Sequence, residues 1–376
     1  MADMEEGMAT PIDEVQRLIH KLESLCSGEE AVEFLVGLGP VAIEPLSDFL
    51  LEGKPSKVFQ PRLWAVKALA RLGAREVLIA YLFREKEIAD PEERFGEEAV
   101  ESAAARFLAA WRDEDIYQLL LKLSEHRLLN GLIDALAEFK ALEAIPYFER
   151  ALEDDFYRAA AENAFLKLGP MACEALSRSA VTPSPSLTME TPGSLKRRRS
   201  AVQLLAGIEI SAAHWQTLRG LLHEPDAVLA IEASKLGIRF ASGEDRRLMA
   251  HRVIGCLSSN SWRLRKDIED ILVAVKREAA GEIEEEIARR LEQPEDLRAQ
   301  DTRLRALLRV KRRWQQACVP LPGNRGVGLA RPSDPASIGN SARLKMVGHS
   351  IFFSGTPRSW QAAALNATAL GWKPPG

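Results

Sequence analysis

Chemistry needs particular residue types at particular spacings, and this chain offers few of them. His223-Glu224 is its one His-Glu dipeptide. A metal centre requires several converging ligands, and His20, His126, His214, His251 and His349 are not in register with that pair. A surface histidine ahead of a helix-starting Glu-Pro is the better reading. Cys26, Cys173, Cys256 and Cys318 lie far apart with no C-x-x-C pair, so buried reduced thiols are expected, with Cys173 on an apolar helical face. There is no phosphate-cradling G-x-x-x-x-G-K, no G-x-G-x-x-G on a strand–helix turn and no G-x-S-x-G elbow. No catalytic residue, metal ligand or cofactor is expected.

Two basic stretches could make contacts instead. Lys196 to Arg199, followed by Ser200, could hold or receive a phosphate, but a solvated helix start is the ordinary reading of such a run. Further on, RLRALLRVKRRW gathers Arg303, Arg305, Arg309, Lys311, Arg312 and Arg313 into about three helical turns, after an acidic helix carrying Glu282, Glu284, Glu285 and Glu286. Pairing between these two helices is expected. The alternative is a contact patch of Arg309, Lys311, Arg312 and Arg313 facing nucleic acid or an anionic membrane.

The elements that would carry these residues show in a repeated phrase. Leu38 to Ser47 reads LGPVAIEPLS and Leu168 to Ser177 reads LGPMACEALS, identical at 7 of 10 positions. Gly ends a helix well in a conformation closed to other residues, and Pro starts one well because its missing N–H would be unsatisfied there anyway. Leu-Gly-Pro is therefore a hinge between helices. Val32, Leu35, Val36 and Leu38 make an apolar stripe before it, and Ala42, Ile43, Leu46, Phe49 and Leu50 make one after it. Degenerate copies place the hinge at Gly73, Trp111, Phe139, Gly207, Gly237 and Ala274, so successive hinges are 34, 38, 28, 30, 38, 30 and 37 residues apart. That period is one helix pair.

With its hinge read as L-G-(D/P)-x-x-A-(V/I)-P-x-L, the unit resembles HEAT repeats, in particular the short phycobilisome-lyase type; ALAEFKALEAIPYFERAL, with Ala144, Ile145 and Pro146, is the next best copy. The resemblance covers about residues 30 to 290. It implies an all-α fold, an α-α superhelix in which HEAT-like helix pairs wind as a right-handed α-solenoid. Trp215 and Leu218 match a fragment of the tetratricopeptide signature, but that fragment stands alone. Among HEAT-like enzymes, deoxyhypusine hydroxylase binds iron through several His-Glu pairs, and this chain has one. HEAT-like DNA glycosylases need a basic groove with aromatic residues, whereas residues 1–317 carry 44 Lys or Arg against 53 Asp or Glu, net −9.

The expected organisation is a capping helix in 1–29, a repeat array over 30–317 with an inserted surface loop at 181–199 (VTPSPSLTMETPGSLKRRR), and a tail at 318–376. Thr10, Pro11 and Asp13 open the first helix, and Ile12, Val15, Leu18, Ile19, Leu22 and Leu25 form its apolar stripe. In the tail 15 of 59 residues are Gly or Pro, against 29 of the other 317, so it is expected to be disordered or loosely attached. No apolar run is expected to reach the ~18 residues of a membrane span, and MADMEEGM lacks a signal-peptide core, so a cytoplasmic setting is expected. The functional expectation is a non-catalytic scaffold that binds another protein or peptide on its concave face, with nucleic acid an unlikely partner and the oligomeric state open. An accessory subunit of a bilin-lyase-like enzyme is the alternative that the resemblance implies.

Overall fold

The computed structural model describes residues 11–24, 26–184, 189–258 and 261–316; Thr10, Leu25 and the tail 318–376 lie outside them. Every regular element among the described residues is helical. Helix α1 (Pro11–Leu22) buries Val15, Leu18, Ile19 and Leu22, while Ile12, expected on the same stripe, is exposed. It packs on α2 (Gly28–Leu38), α3 (Ile43–Leu51) and α4 (Gln60–Arg71), covering that end of the core.

The two copies of the repeated phrase fold alike. Helix α2 and α10 (Arg158–Leu168) each stop at Leu, pass through a glycine with positive φ, and make one 3-10 turn, Gly39–Ala42 or Gly169–Ala172. Helices α3 and α11 (Cys173–Val181) then begin. Gly39 has φ 73° and ψ −149°, and Gly169 has φ 59° and ψ −133°. That corner of backbone space is essentially closed to any residue with a Cβ. The degenerate hinges also mark helix ends, closing α4, α6 (Pro91–Ala109), α8 (Asn130–Glu138), α12 (Pro192–Ala206), α14 (Ala227–Gly237) and α16 (Trp262–Ala274).

Two hinge positions are one residue later than the pattern suggested. Arg112 and Lys140, not Trp111 and Phe139, take the positive φ, at 52° and 55°. At Lys140 the next amide, Ala141, donates to the Leu136 carbonyl, as Ala74 beyond Gly73 donates to Leu69. Both are glycine-type helix terminations, one built without glycine. Gly237 has a different role, because a Cβ there would lie 2.3 Å from the Trp215 ring.

Between these helices run α5 (Arg75–Phe83), α7 (Glu114–Ser124), α9 (Ile145–Leu152), α13 (Ala212–Leu218), α15 (Gly243–Gly255) and α17 (Lys276–Leu291), followed by α18 (Glu295–Gln300) and α19 (Thr302–Gln316). Packing alternates. Helices α2, α4, α6, α8, α10, α12, α14, α16 and α19 each rest on the next of that row, and the intervening helices pack against them. One cluster of buried side chains runs from Val15 to Met249 and a second from Ile231 to Trp314. Side-chain caps fix several helix starts, with Asp90, Asp113, Thr191, Ser211, Asp226, Ser242 and Ser261 accepting from the first-turn amides.

Helix C-termini are closed by a device the sequence did not announce. Arg62 of α4 donates to the carbonyls of Leu50 (2.9 Å) and Gly53 (3.1 Å) at the end of α3. Arg150 of α9 reaches Ser124 O at the end of α7 (2.8 Å), and Arg198 of α12 reaches Ala180 O in α11 (2.8 Å). A guanidinium satisfies orphan carbonyls and complements the negative end of the helix dipole.

Two sequence expectations need correction here. Helix resumes at Pro192, so the loop expected over 181–199 gives way to helix well before its end; Thr191 caps that start through Ser194 N. Gly28–Leu51 is long and apolar enough to cross a membrane by length and composition, contrary to the expectation that no run would be. It is broken at Gly39-Pro40, and Val32, Leu35, Leu46 and Leu50 are fully buried in the core.

Candidate functional site

The alternating row presents one helix face after another, and cross-helix polar pairs link those faces. Lys67 of α4 meets Glu29 of α2 at 3.1 Å, and Arg71 pairs with Glu33. Arg106 of α6 meets Asp134 of α8 at 2.7 Å, and Glu138 of α8 meets Lys167 of α10 at 2.5 Å. Ser200 of α12 donates to Glu162 of α10 (2.7 Å), and Arg199 pairs with Asp226, the cap of α14. Lys235 of α14 and Asp267 of α16 are 3.5 Å apart. These partners are mostly half-exposed, so each pair contributes little stability. Their chemical consequence is a polar face whose charges are already compensated. An open hollow of about 370 Å³ lies between α6, α8 and α10, lined by Arg106, Asp134, Glu138 and Lys167. Phe34 of α2 and Leu166 of α10 add exposed apolar points.

The basic residues that offered an alternative contact patch on α19 are largely engaged within the chain. Arg309 meets Glu269 at 2.6 Å and Arg313 meets Asp270 at 2.8 Å, both on α16, and Lys311 meets Glu284 on α17 at 3.5 Å. Arg303 also reaches α17, at Glu286 (3.1 Å). Pairing with the acidic helix was anticipated; pairing with α16, on which α19 also packs, was not. Among the described residues only Arg312 of the four residues of that alternative patch has no ion-pair partner.

The run Lys196 to Arg199 is not a solvated helix start. Arg197 and Arg198 are buried inside α12. Arg197 holds Glu153 (2.9 Å) and the Ser179 carbonyl (3.2 Å), and Arg198 holds Glu190 (2.8 Å) and Glu224 (2.5 Å). Ser200 is buried on Glu162, so this stretch presents no free phosphate cradle. Glu224 is thereby committed to Arg198, and exposed His223 stands beside it without a second ligand group; no metal-holding cluster occurs among the described residues. Cys173 is buried as expected and burial raises its thiol pKa, but Cys26 is exposed.

Helix α6 carries a further titratable group that no motif signalled. Burial pushes the Glu101 carboxyl up to about 7, outweighing the attraction of Arg127, with which it pairs. An unfolded Glu titrates near 4.3. Between about pH 4 and 7 the folded chain therefore holds a proton that the unfolded chain has lost, and stability must fall as pH rises through that window. Glu101→Gln is expected to remove about 1–3 kcal/mol of the stability difference between pH 5 and pH 8. Urea titrations at the two pH values check this, and equal slopes for both proteins would refute it.

No family model matches the chain, and no curated protein matches it either. The functional reading therefore rests on the residues and their geometry.

Proposed function

We infer that the chain is an α-solenoid of HEAT-like helix pairs and works as a non-catalytic scaffold, binding another protein or peptide on the face of the alternating helix row. The observation that carries this reading is the unbroken succession of that row from α2 to α19, each helix resting on the next of the row. Stacked pairs of this kind expose an extended surface, and small rotations between them give it curvature. The surface suits recognition better than catalysis. Its carboxylates and cations neutralise one another in contact with water, which favours orientation and selectivity of a charged partner over desolvated chemistry.

The test is an affinity capture with the full chain, followed by cross-linking to map the contact. Exchanging Arg106→Asp together with Asp134→Arg keeps the internal pair and inverts its charge pattern. The captured partner is expected to cross-link to α6, α8 and α10, and the exchange is expected to weaken its binding in a salt-dependent way. Cross-links confined to other helices, with binding indifferent to the exchange, would overturn the reading.

A further inference from the structure

At the start of α6, remote from Arg106, two phenylalanines separated by 61 positions meet on the surface. Phe95 and Phe156 are each 51% exposed, yet their ring centroids are 5.6 Å apart at 69°. Phe156, in the α9–α10 connection, also stands edge-on to Tyr157 at 4.9 Å. Three aromatic rings thus form a platform on which no other ring packs among the described residues. Beside it lies Glu98, one helical turn beyond Phe95. It is half-buried, burial raises its carboxyl pKa, and it has no hydrogen-bond or ion-pair partner among the described residues. Arg127 and Arg94 attract it only from a distance, too weakly to offset burial: Arg127 is paired with Glu101, and Arg94 forms no ion pair among the described residues. Asp154, next to Phe156 in space, accepts that residue's amide at 2.8 Å and adds a second carboxylate to the rim.

We propose that Phe95, Phe156 and Tyr157, with Glu98, form a docking site for an arginine-bearing apolar segment of a partner protein. A partly desolvated carboxylate without a donor is unfavourable until a cation reaches it, and exposed aromatic faces attract the same cation. Arginine fits both demands better than lysine, because its planar guanidinium lies on a ring, sheds water more readily and donates two parallel bonds to a carboxylate. Aliphatic neighbours of that arginine cover the remaining ring surface. The net charge of −9 over residues 1–317 favours approach of such a segment.

The site is distinct from the face around Arg106, so the two readings can fail separately. The probe is a fluorescein-labelled Leu-Arg-Leu-Arg-Leu peptide, titrated against the full chain by anisotropy, with a neutral citrulline version as control. The arginine peptide is expected to bind at least about ten-fold more tightly than the citrulline peptide, the scale of one charge-assisted contact. Glu98→Gln should bring the two peptides within about three-fold of each other, and Phe95→Ser with Phe156→Ser should abolish binding of both while circular dichroism stays unchanged. The Arg106/Asp134 exchange should leave the peptide affinity as it is. Equal binding of both peptides to the native chain, no binding at all, or binding indifferent to Glu98→Gln would each overturn the proposal. Loss of peptide binding only in the Arg106/Asp134 exchange would move the site to the alternating row.

Discussion

Glu97→Ala is expected to destabilise the chain by about 3–5 kcal/mol, the scale for removing one partner from a buried charge network. Glu97 sits on α6 with its side chain 4% exposed, and accepts from Arg62 (3.0 Å), from the Tyr81 hydroxyl (2.8 Å) and from Arg84. Arg84 also stacks on the Tyr81 ring, 4.4 Å from its centroid. Both arginines do further work at the end of α3. Arg62 donates to Leu50 O and Gly53 O, and Arg84 to Leu50 O (3.0 Å) and Leu51 O (2.7 Å). Without the carboxylate, two guanidinium groups remain in low dielectric with carbonyl dipoles and, for Arg84, the more distant Glu101 to oppose them. Because α6 packs on α4, α5, α7 and α8, the loss should be local. Amide exchange should speed up from α3 to α6 and stay near native rates in α14 to α16. A denaturation midpoint within about 0.5 kcal/mol of the native protein, with uniform exchange, would show that the network does not hold these helices together.

How much of this was legible depends on the distance over which each feature acts. The hinges are local: Gly39-Pro40 and Gly169-Pro170 carry in two residues the backbone demands of the turn they make, so helix ends could be read directly. Lys140 escaped because a Schellman-type ending tolerates a non-glycine residue at some cost, and nothing in its type marks it. The arginine run 196–199 misled for another reason. Read as a string it is a charged surface, but a helical turn sends Arg197 and Arg198 inward, and the groups that receive them there, Glu153, Ala180 and Glu224, are 44, 18 and 26 residues away. The burial of Glu98 and the meeting of Phe95 with Phe156 are likewise matters of which helix lies beside which. Period and composition reveal that helices repeat, not which side chains face each other across the repeats.

The same neighbour relations make one glycine a sharp test of the packing order. Gly131 stands in the first turn of α8, and a Cβ placed there would lie 1.8 Å from the backbone carbonyl oxygen of Ser102 on α6 and 2.4 Å from its Cα. No rotamer change relieves a collision with backbone, so α6 and α8 must move apart. Intrinsic helix propensity favours Ala over Gly by about 1 kcal/mol, but overpacking of a rigid contact costs about 1–3 kcal/mol and more where neither side can yield. Gly131→Ala is therefore expected to destabilise by about 3 kcal/mol, despite adding a single methyl group. Gly37 on α2 provides the opposite case, since nothing lies within 4 Å of its virtual Cβ. Gly37→Ala should stabilise by up to about 1 kcal/mol, through propensity alone. Urea denaturation of the two variants side by side decides the matter. Shifts of opposite sign support the close approach of α6 to α8, and a stabilising or neutral Gly131→Ala would mean that those helices do not meet at Ser102.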